Sequence, residues 1–220
     1  MNRTLQALKL DFIIIKSLLF LSIAVCYVFA ITISVAVKQP VTALVIATII
    51  SVYVGGTVFS IIEKNNCSRL YAVLPLGRPT VVAARYLFAL VIGVANLIFA
   101  GVCSLIISLI IRAAIDPLTF FAAISLMFIY YCLAVGVSYP VFFACSFAKA
   151  SISAFAPWFV IIFGLVLLSK MPGAFDGLAP AIAYFRDHLF LLPICGGLIG
   201  LILLAVSALI ANVIYKRKEI

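Results

Sequence analysis

Long apolar runs without a charged residue constrain this chain more than any other feature of its sequence. About 20 helical residues, rising 1.5 Å each, cross the roughly 30 Å hydrocarbon layer of a bilayer. Runs of that length do not alternate between polar and apolar residues, which excludes a transmembrane barrel. We therefore expect an all-α polytopic membrane protein with six transmembrane helices, at Ser17–Val37, Val41–Ile62, Tyr86–Ile111, Leu118–Ala148, Ala150–Ser169 and Leu189–Tyr215.

The composition excludes a soluble protein. Hydrophobic residues make up 67% of the chain and charged residues 10%, against about half and about a quarter in soluble domains. This chain has too few polar side chains to cover the surface that a soluble protein of its size exposes to water.

The basic residues are distributed unevenly between the two sides of the predicted spans. Of the 15 Lys and Arg, four lie on one side, at Lys38, Arg112, Lys170 and Arg186. The remaining 11 lie on the other side, which includes both termini. Because basic loops are retained in the cytoplasm, we predict that both termini are cytoplasmic. This topology and anionic headgroups explain the net charge of +9 without nucleic-acid binding.

The sequence carries no pattern for catalysis or for metal binding. It has no P-loop, no H-E-x-x-H and no carboxylate or imidazole within the predicted spans. The only histidine, His188, lies beside Asp187 at a predicted outer edge and is interpreted as a surface residue. The cysteines have no metal or redox spacing and are interpreted as packing residues; they are Cys26, Cys67, Cys103, Cys132, Cys145 and Cys195. We expect no catalytic residue, metal or cofactor in this chain, so uphill transport would require energy from a partner.

The first 16 residues are predicted to form an amphipathic helix in the cytoplasmic interface, ahead of a transmembrane domain over 17–220. Leu5, Leu8, Phe12 and Ile15 recur at three- and four-residue steps, which places them on one helix face. The alternative is a basic flank that only sets topology, and the two interpretations are compatible.

The loop Glu63–Arg85 is the most charged connection and is long for a helical bundle. Its sequence predicts a short helix over Ser68–Leu74, a break at Pro75 and a new helix from Pro79, with Arg78 extended. We interpret it as a folded docking element at the cytoplasmic surface. The alternative is a solvated loop held by lipid phosphates.

Glycines and polar residues within the spans indicate close packing or hydrogen bonding, and neither identifies a function. Gly196-x-x-x-Gly200 predicts a close helix approach but does not identify a dimer face. Polar residues in the spans either line a pathway or hydrogen-bond within their own helices, the commoner outcome; they are Thr32, Ser34, Thr48, Ser51, Thr57, Asn96, Ser104 and Ser108.

Short motifs occur in a fixed order within the first 86 residues. Leu8–Phe12 (LKLDF) precedes the first span, Glu63–Asn65 (EKN) and Leu74–Arg78 (LPLGR) follow the second, and Arg85-Tyr86 opens the third. In order, spacing and topology these motifs resemble those of ABC-2 type transporter permeases, in particular the short six-span subunits of bacterial peptide and bacteriocin exporters. Two positions depart from the family pattern: an aromatic residue is usual near Cys67, and serine is usual at Gly77.

The resemblance implies a permease subunit that exports a hydrophobic or amphipathic substrate, typically a peptide, across a bacterial cell membrane. Antimicrobial-peptide resistance is within the range of such exporters. Two copies of the permease would pair as a homodimer on two copies of a separate ATPase subunit, which binds the ATP and Mg. By position, the coupling loop would contact the ATPase through Glu63, Lys64, Arg69, Leu74, Pro75 and Arg78.

Other functions remain open at this point. The substrate-binding subunit of a vitamin-uptake transporter also has six small spans, although its partner contacts use small residues on the first span. An ATP-independent channel or immunity protein fits the same topology. An intramembrane enzyme is disfavoured, because the spans lack catalytic residues.

Overall fold

The computed structural model describes residues 12–13, 24–25, 27–64, 77–145, 163, 170 and 179–217. Within these ranges every regular element is an α-helix and none is a strand. We number the helices α1 (Tyr27–Val37), α2 (Thr42–Lys64), α3 (Arg78–Ile111), α4 (Pro117–Ala144), α5 (Ala179–Asp187) and α6 (Leu191–Arg217).

Four of these helices are long and apolar enough to cross a membrane, namely α2, α3, α4 and α6. They correspond to the second, third, fourth and sixth predicted spans. The shorter α1 covers the carboxyl-terminal part of the first predicted span. The fifth, Ala150–Ser169, lies outside the described residues apart from Phe163, which is helical and exposed.

The third span begins earlier than its apolar run, at Arg78 rather than Tyr86. Pro79 lies in the first turn, where its missing N–H costs no hydrogen bond. The extended residue is Gly77 (φ −64°, ψ 143°), so the expectation of an extended Arg78 was wrong by one position. With 34 residues, α3 is about 51 Å long, roughly 20 Å more than the hydrocarbon layer requires. Its two basic residues, Arg78 and Arg85, lie within its first eight positions.

α4 ends at Ala144, four residues before the predicted Ala148, and Cys145 is extended (φ −115°, ψ 172°). The helix passes through Pro140 without ending there. Asp116 caps its first turn, since its carboxylate accepts from the backbone N–H of Thr119 at 3.0 Å.

Two tight turns lie at one end of the bundle. Lys38 and Arg112 each end a helix in the left-handed conformation, with φ 56°, and the next N–H bonds back to a carbonyl of the preceding turn. Ser104, two helical turns before Arg112, donates to the carbonyl of Pro40 at 2.9 Å, which joins α3 to the turn at Lys38. We call this the Lys38 end.

The opposite end contains the carboxyl ends of α2, α4 and α6 and the start of α3. The rings of Phe143 and Tyr215, near the ends of α4 and α6, are 5.2 Å apart. We call it the Arg85 end, after the buried arginine in the third turn of α3. The larger of two buried apolar clusters lies in this half of the bundle, and the smaller, around Leu44 and Leu97, lies toward the Lys38 end.

The most extensive helix contact joins α4 and α6. A Cβ at Gly196 would lie 2.9 Å from Ser125 Cβ, and one at Gly200 would lie 2.8 Å from Phe128 Cε1. The glycine pair therefore produces a close helix approach, as predicted, and the partner is α4 of the same chain.

Candidate functional site

Arg85 is the most unusual side chain of the bundle, because it is a cation only 5% exposed in an apolar core. Its guanidinium carbon lies 4.4 Å from the ring centroid of Phe59 on α2 and 6.0 Å from that of Phe143 on α4. A cation over an aromatic face is attracted by the negative face of the ring, and more strongly once desolvated. The contact joins α3 to two neighbouring helices.

The rings around Arg85 hold one another in place. Phe59 meets Tyr139 edge-on at 5.0 Å and Phe143 edge-on at 5.1 Å, which are favourable aromatic geometries. Tyr86, next to Arg85, meets Tyr139 at 5.3 Å. We call these five residues, Arg85, Phe59, Tyr86, Tyr139 and Phe143, the Arg85 cluster.

A hydrogen-bonded chain at the same level joins α3 to α6 and α4. The Ser207 hydroxyl donates to the carbonyl of Gly136 at 2.6 Å, so the 2.6 Å contact between Tyr86 and Ser207 has the Tyr86 hydroxyl as donor. Gly136 is four residues before Pro140, which has no N–H to give this carbonyl. The neighbouring helix thus satisfies the carbonyl that the proline leaves open, as membrane helices require.

Two further tyrosines bridge helices through their hydroxyls. Tyr131 donates to the carbonyl of Ala89 at 2.7 Å, and Tyr139 to that of Gly55 at 3.2 Å. A glycine makes room for the first of them: a Cβ at Gly93 would lie 2.2 Å from the Tyr131 ring, whereas one at Gly55 would be in ordinary contact with the Tyr139 hydroxyl, at 3.4 Å. Together with the cluster, these bonds fix α2, α3, α4 and α6 to one another.

Only part of the sequence-predicted site lies among the described residues. Glu63 and Lys64 form the exposed last turn of α2, and Arg78 begins α3. Arg69, Leu74 and Pro75 fall in 65–76, outside the described residues. Of the interfacial set, Phe12 is helical and 49% exposed, while Leu5, Leu8 and Ile15 lie outside the described residues.

Two members of the Arg85 cluster lie about one to two helical turns from Lys64 and Gly77, the described residues that flank 65–76. Phe59 is one helical turn before Glu63, and Arg85 is two turns after Arg78. The two chain ends that enter and leave the segment are thus joined by Arg85 and Phe59 within the bundle.

Most predicted polar span residues bond within their own helices. Thr32, Ser34, Thr48, Ser51 and Thr57 donate to a carbonyl three or four residues earlier. Ser104 instead reaches Pro40, Ser108 bonds to Ala113 beyond the end of α3, and Asn96 accepts from the hydroxyl of Tyr27. Among the described residues no cluster of three metal-ligating side chains occurs.

The tyrosines of α4 and the burial of Arg85 were not predicted from the sequence. Two local signals were present. A tyrosine within an apolar span requires a partner for its hydroxyl, and Pro140 requires a donor for the carbonyl four residues before it. Neither signal names the partner, which lies on another helix.

A bundle of long apolar helices, tied by interhelical hydrogen bonds, defines a multi-pass membrane protein. A family model described as ABC-2 family transporter protein matches residues 7–216, so the chain belongs to the ABC-2 family of transporter membrane proteins. Membership implies a partnership with an ATPase subunit in an ABC transporter. A search of the curated proteins found no significant match.

Proposed function

We propose that this chain is the permease subunit of an ABC exporter, driven by a separate ATPase that docks on the segment 65–76 and on the helix ends beside it. One observation carries this proposal: the Arg85-Tyr86 pair, two helical turns after the start of α3, contacts α2, α4 and α6. A force applied to the segment would reach four helices through buried contacts. The sequence has no P-loop of its own, and family membership implies an ATPase partner.

We further propose that the substrate is hydrophobic or amphipathic, with peptides as the leading class, and that transport is outward. The described parts of α3 and α6 carry large exposed apolar side chains over much of their length. A pathway between such helices suits a cargo that enters from the bilayer better than a hydrophilic ion. Two copies of the chain would form the transport unit, in a bacterial cell membrane.

The decisive experiment is co-purification of the tagged permease with the ATPase encoded nearest to it. Leu74→Asp places a carboxylate in the proposed apolar contact, and Arg78→Ala removes a charge from it. We expect each variant to lose most of the bound ATPase while the permease stays monodisperse and keeps its melting temperature.

Matched controls lie at the Lys38 end. Arg186→Ala removes an exposed arginine there, and Ala114→Asp adds a carboxylate to an exposed turn. Both should retain the ATPase at the wild-type ratio. If the wild type binds no ATPase, the exporter proposal is wrong, and an ATP-independent channel or immunity protein becomes the better account.

A further inference from the structure

Arg85 is buried more deeply than a topology-setting residue requires. A basic residue that only marks the cytoplasmic side can extend toward the headgroups, because its long stem allows the charge to reach water. Arg85 is instead 5% exposed and lies over two aromatic rings from different helices. Burying a cation is costly, so its retention in this place needs a compensating interaction.

The last turn of α4 follows a missing helical hydrogen bond. Pro140 has no N–H for the Gly136 carbonyl, which bonds to Ser207 on α6 instead. The turn carries Phe142 and Phe143, and both rings pack on Phe59, with centroids 5.2 Å and 5.1 Å away. Side-chain contacts with the Arg85 cluster therefore contribute to holding this turn in its orientation.

We propose that Arg85 is a positioning residue that transmits relative movement of the ends of α2 and α3 to the last turn of α4. This inference rests on the proposed function, since the movement originates in the ATPase. When the ends of α2 and α3 shift relative to each other, the guanidinium moves with respect to Phe59. Because the attraction depends on the cation staying within about 6 Å of the ring, the shift carries Phe143, and the turn beyond Pro140, along with it.

The test measures amide hydrogen exchange in the peptide 137–145 of the complete permease–ATPase complex in lipid nanodiscs. Exchange is followed without nucleotide and with MgATP plus orthovanadate. In the wild type we expect the nucleotide to change the exchange rate of this peptide. In Arg85→Met, which keeps the length of the side chain but removes its charge, we expect that change to fall about five-fold, while the complex still forms and still hydrolyses ATP.

A conservative variant and a matched control separate transmission from simple structural support. Arg85→Lys keeps the cation and should restore a large part of the nucleotide-dependent change. Phe59→Leu should behave as Arg85→Met does, and the double variant should be no worse than either. Phe121→Leu removes an aromatic contact (5.6 Å to Phe190) from the opposite half of α4 and should leave the change intact.

The failures of the two proposals are distinguishable. If the ATPase binds and Arg85→Met still shows the wild-type change, Arg85 transmits nothing and the inference is overturned. The inference is overturned as well if Arg85→Met speeds exchange equally with and without nucleotide, because a purely structural contact would have that effect. If the wild type binds no ATPase at all, the proposed function itself has failed.

Discussion

Tyr131 lies against Gly93 closely enough that no other residue fits there without movement. A Cβ at position 93 would come within 2.2 Å of Tyr131 Cε1. The ring is fixed, because its hydroxyl donates to the Ala89 carbonyl and the side chain is only 1% exposed. Single residues of this kind decide how near α3 and α4 approach.

We expect Gly93→Ala to destabilise the protein by about 1–3 kcal/mol, the usual cost of overpacking a core. That cost exceeds the roughly 1 kcal/mol that alanine gains over glycine in a helix. Thermal unfolding in detergent measures it, and the matched control is Gly197→Ala, where an added Cβ meets nothing within 4 Å. The packing account is wrong if Gly93→Ala melts at or above the wild-type temperature.

The cap of α4 should make stability depend on acidity. The backbone N–H and hydroxyl of Thr119, with the charge of Arg186, hold the pKa of Asp116 below its ordinary value of 3.8. A carboxylate whose pKa is lowered in the folded state stabilises that state when the pH is above the ordinary pKa of the group. This stabilisation is lost as the pH falls through the pKa of the folded state.

Asp116→Asn keeps an acceptor for Thr119 but removes the charge. We expect it to melt slightly below the wild type at pH 7, the effect being small because Asp116 is exposed to solvent. The difference should shrink as the pH falls below 4. Melting curves across this range test the prediction, and a difference that does not change with pH would contradict it.

α4 shows how a helix tolerates an internal proline when its neighbours are arranged for it. Pro140 leaves the Gly136 carbonyl without its helical donor, and Ser207 of α6 supplies one at 2.6 Å. The same serine accepts from Tyr86 of α3. The hydroxyl of Ser207 thus joins three helices by hydrogen bonds at the point where α4 lacks one of its own.

Ser207→Ala should cost about 1 kcal/mol, since it removes two interhelical bonds that average about 0.6 kcal/mol each in membrane proteins. Its cost should shrink in a Pro140→Ala background, where residue 140 again donates to Gly136. Ser104→Ala, whose hydroxyl bonds to Pro40 instead, should cost the same in both backgrounds. Equal costs of Ser207→Ala with and without Pro140 would refute the account of the proline.

The whole bundle is polarised, with its larger buried cluster and its buried cation at the Arg85 end and its tight turns at the Lys38 end. The excess of basic residues predicts that the Arg85 end faces the cytoplasm. This is also the end that an ATPase must reach, so the orientation is a condition of the proposed function.

Orientation is testable with Cys145, which is exposed at the Arg85 end immediately after α4. In a variant with the other five cysteines replaced by alanine, a membrane-impermeant maleimide should label Cys145 in inverted vesicles and not in intact cells. Gln39→Cys in the cysteine-free chain, at the exposed Lys38 end, should show the opposite pattern. Labelling of Cys145 from outside would reverse the topology.

The amino-acid sequence by itself determined the class of protein, the positions of four long spans and the family. These properties follow from apolar runs and from short motifs, which are local in the chain and are set by the solvent that a lipid bilayer provides. The start of α3 was predicted at Pro79, one residue after the observed start at Arg78, because proline favours the first turn of a helix.

Only the tertiary structure decided which residues act together. Arg85 was predicted to end the cytoplasmic loop, yet it lies buried on Phe59, 26 positions earlier in the chain. Ser207 was not singled out, yet its hydroxyl donates a hydrogen bond to the carbonyl of Gly136, 71 positions away. Such pairings depend on how the helices are placed side by side. A pattern along one helix shows that a buried charge or hydroxyl needs a partner, but it cannot identify the partner, because the partner belongs to another helix.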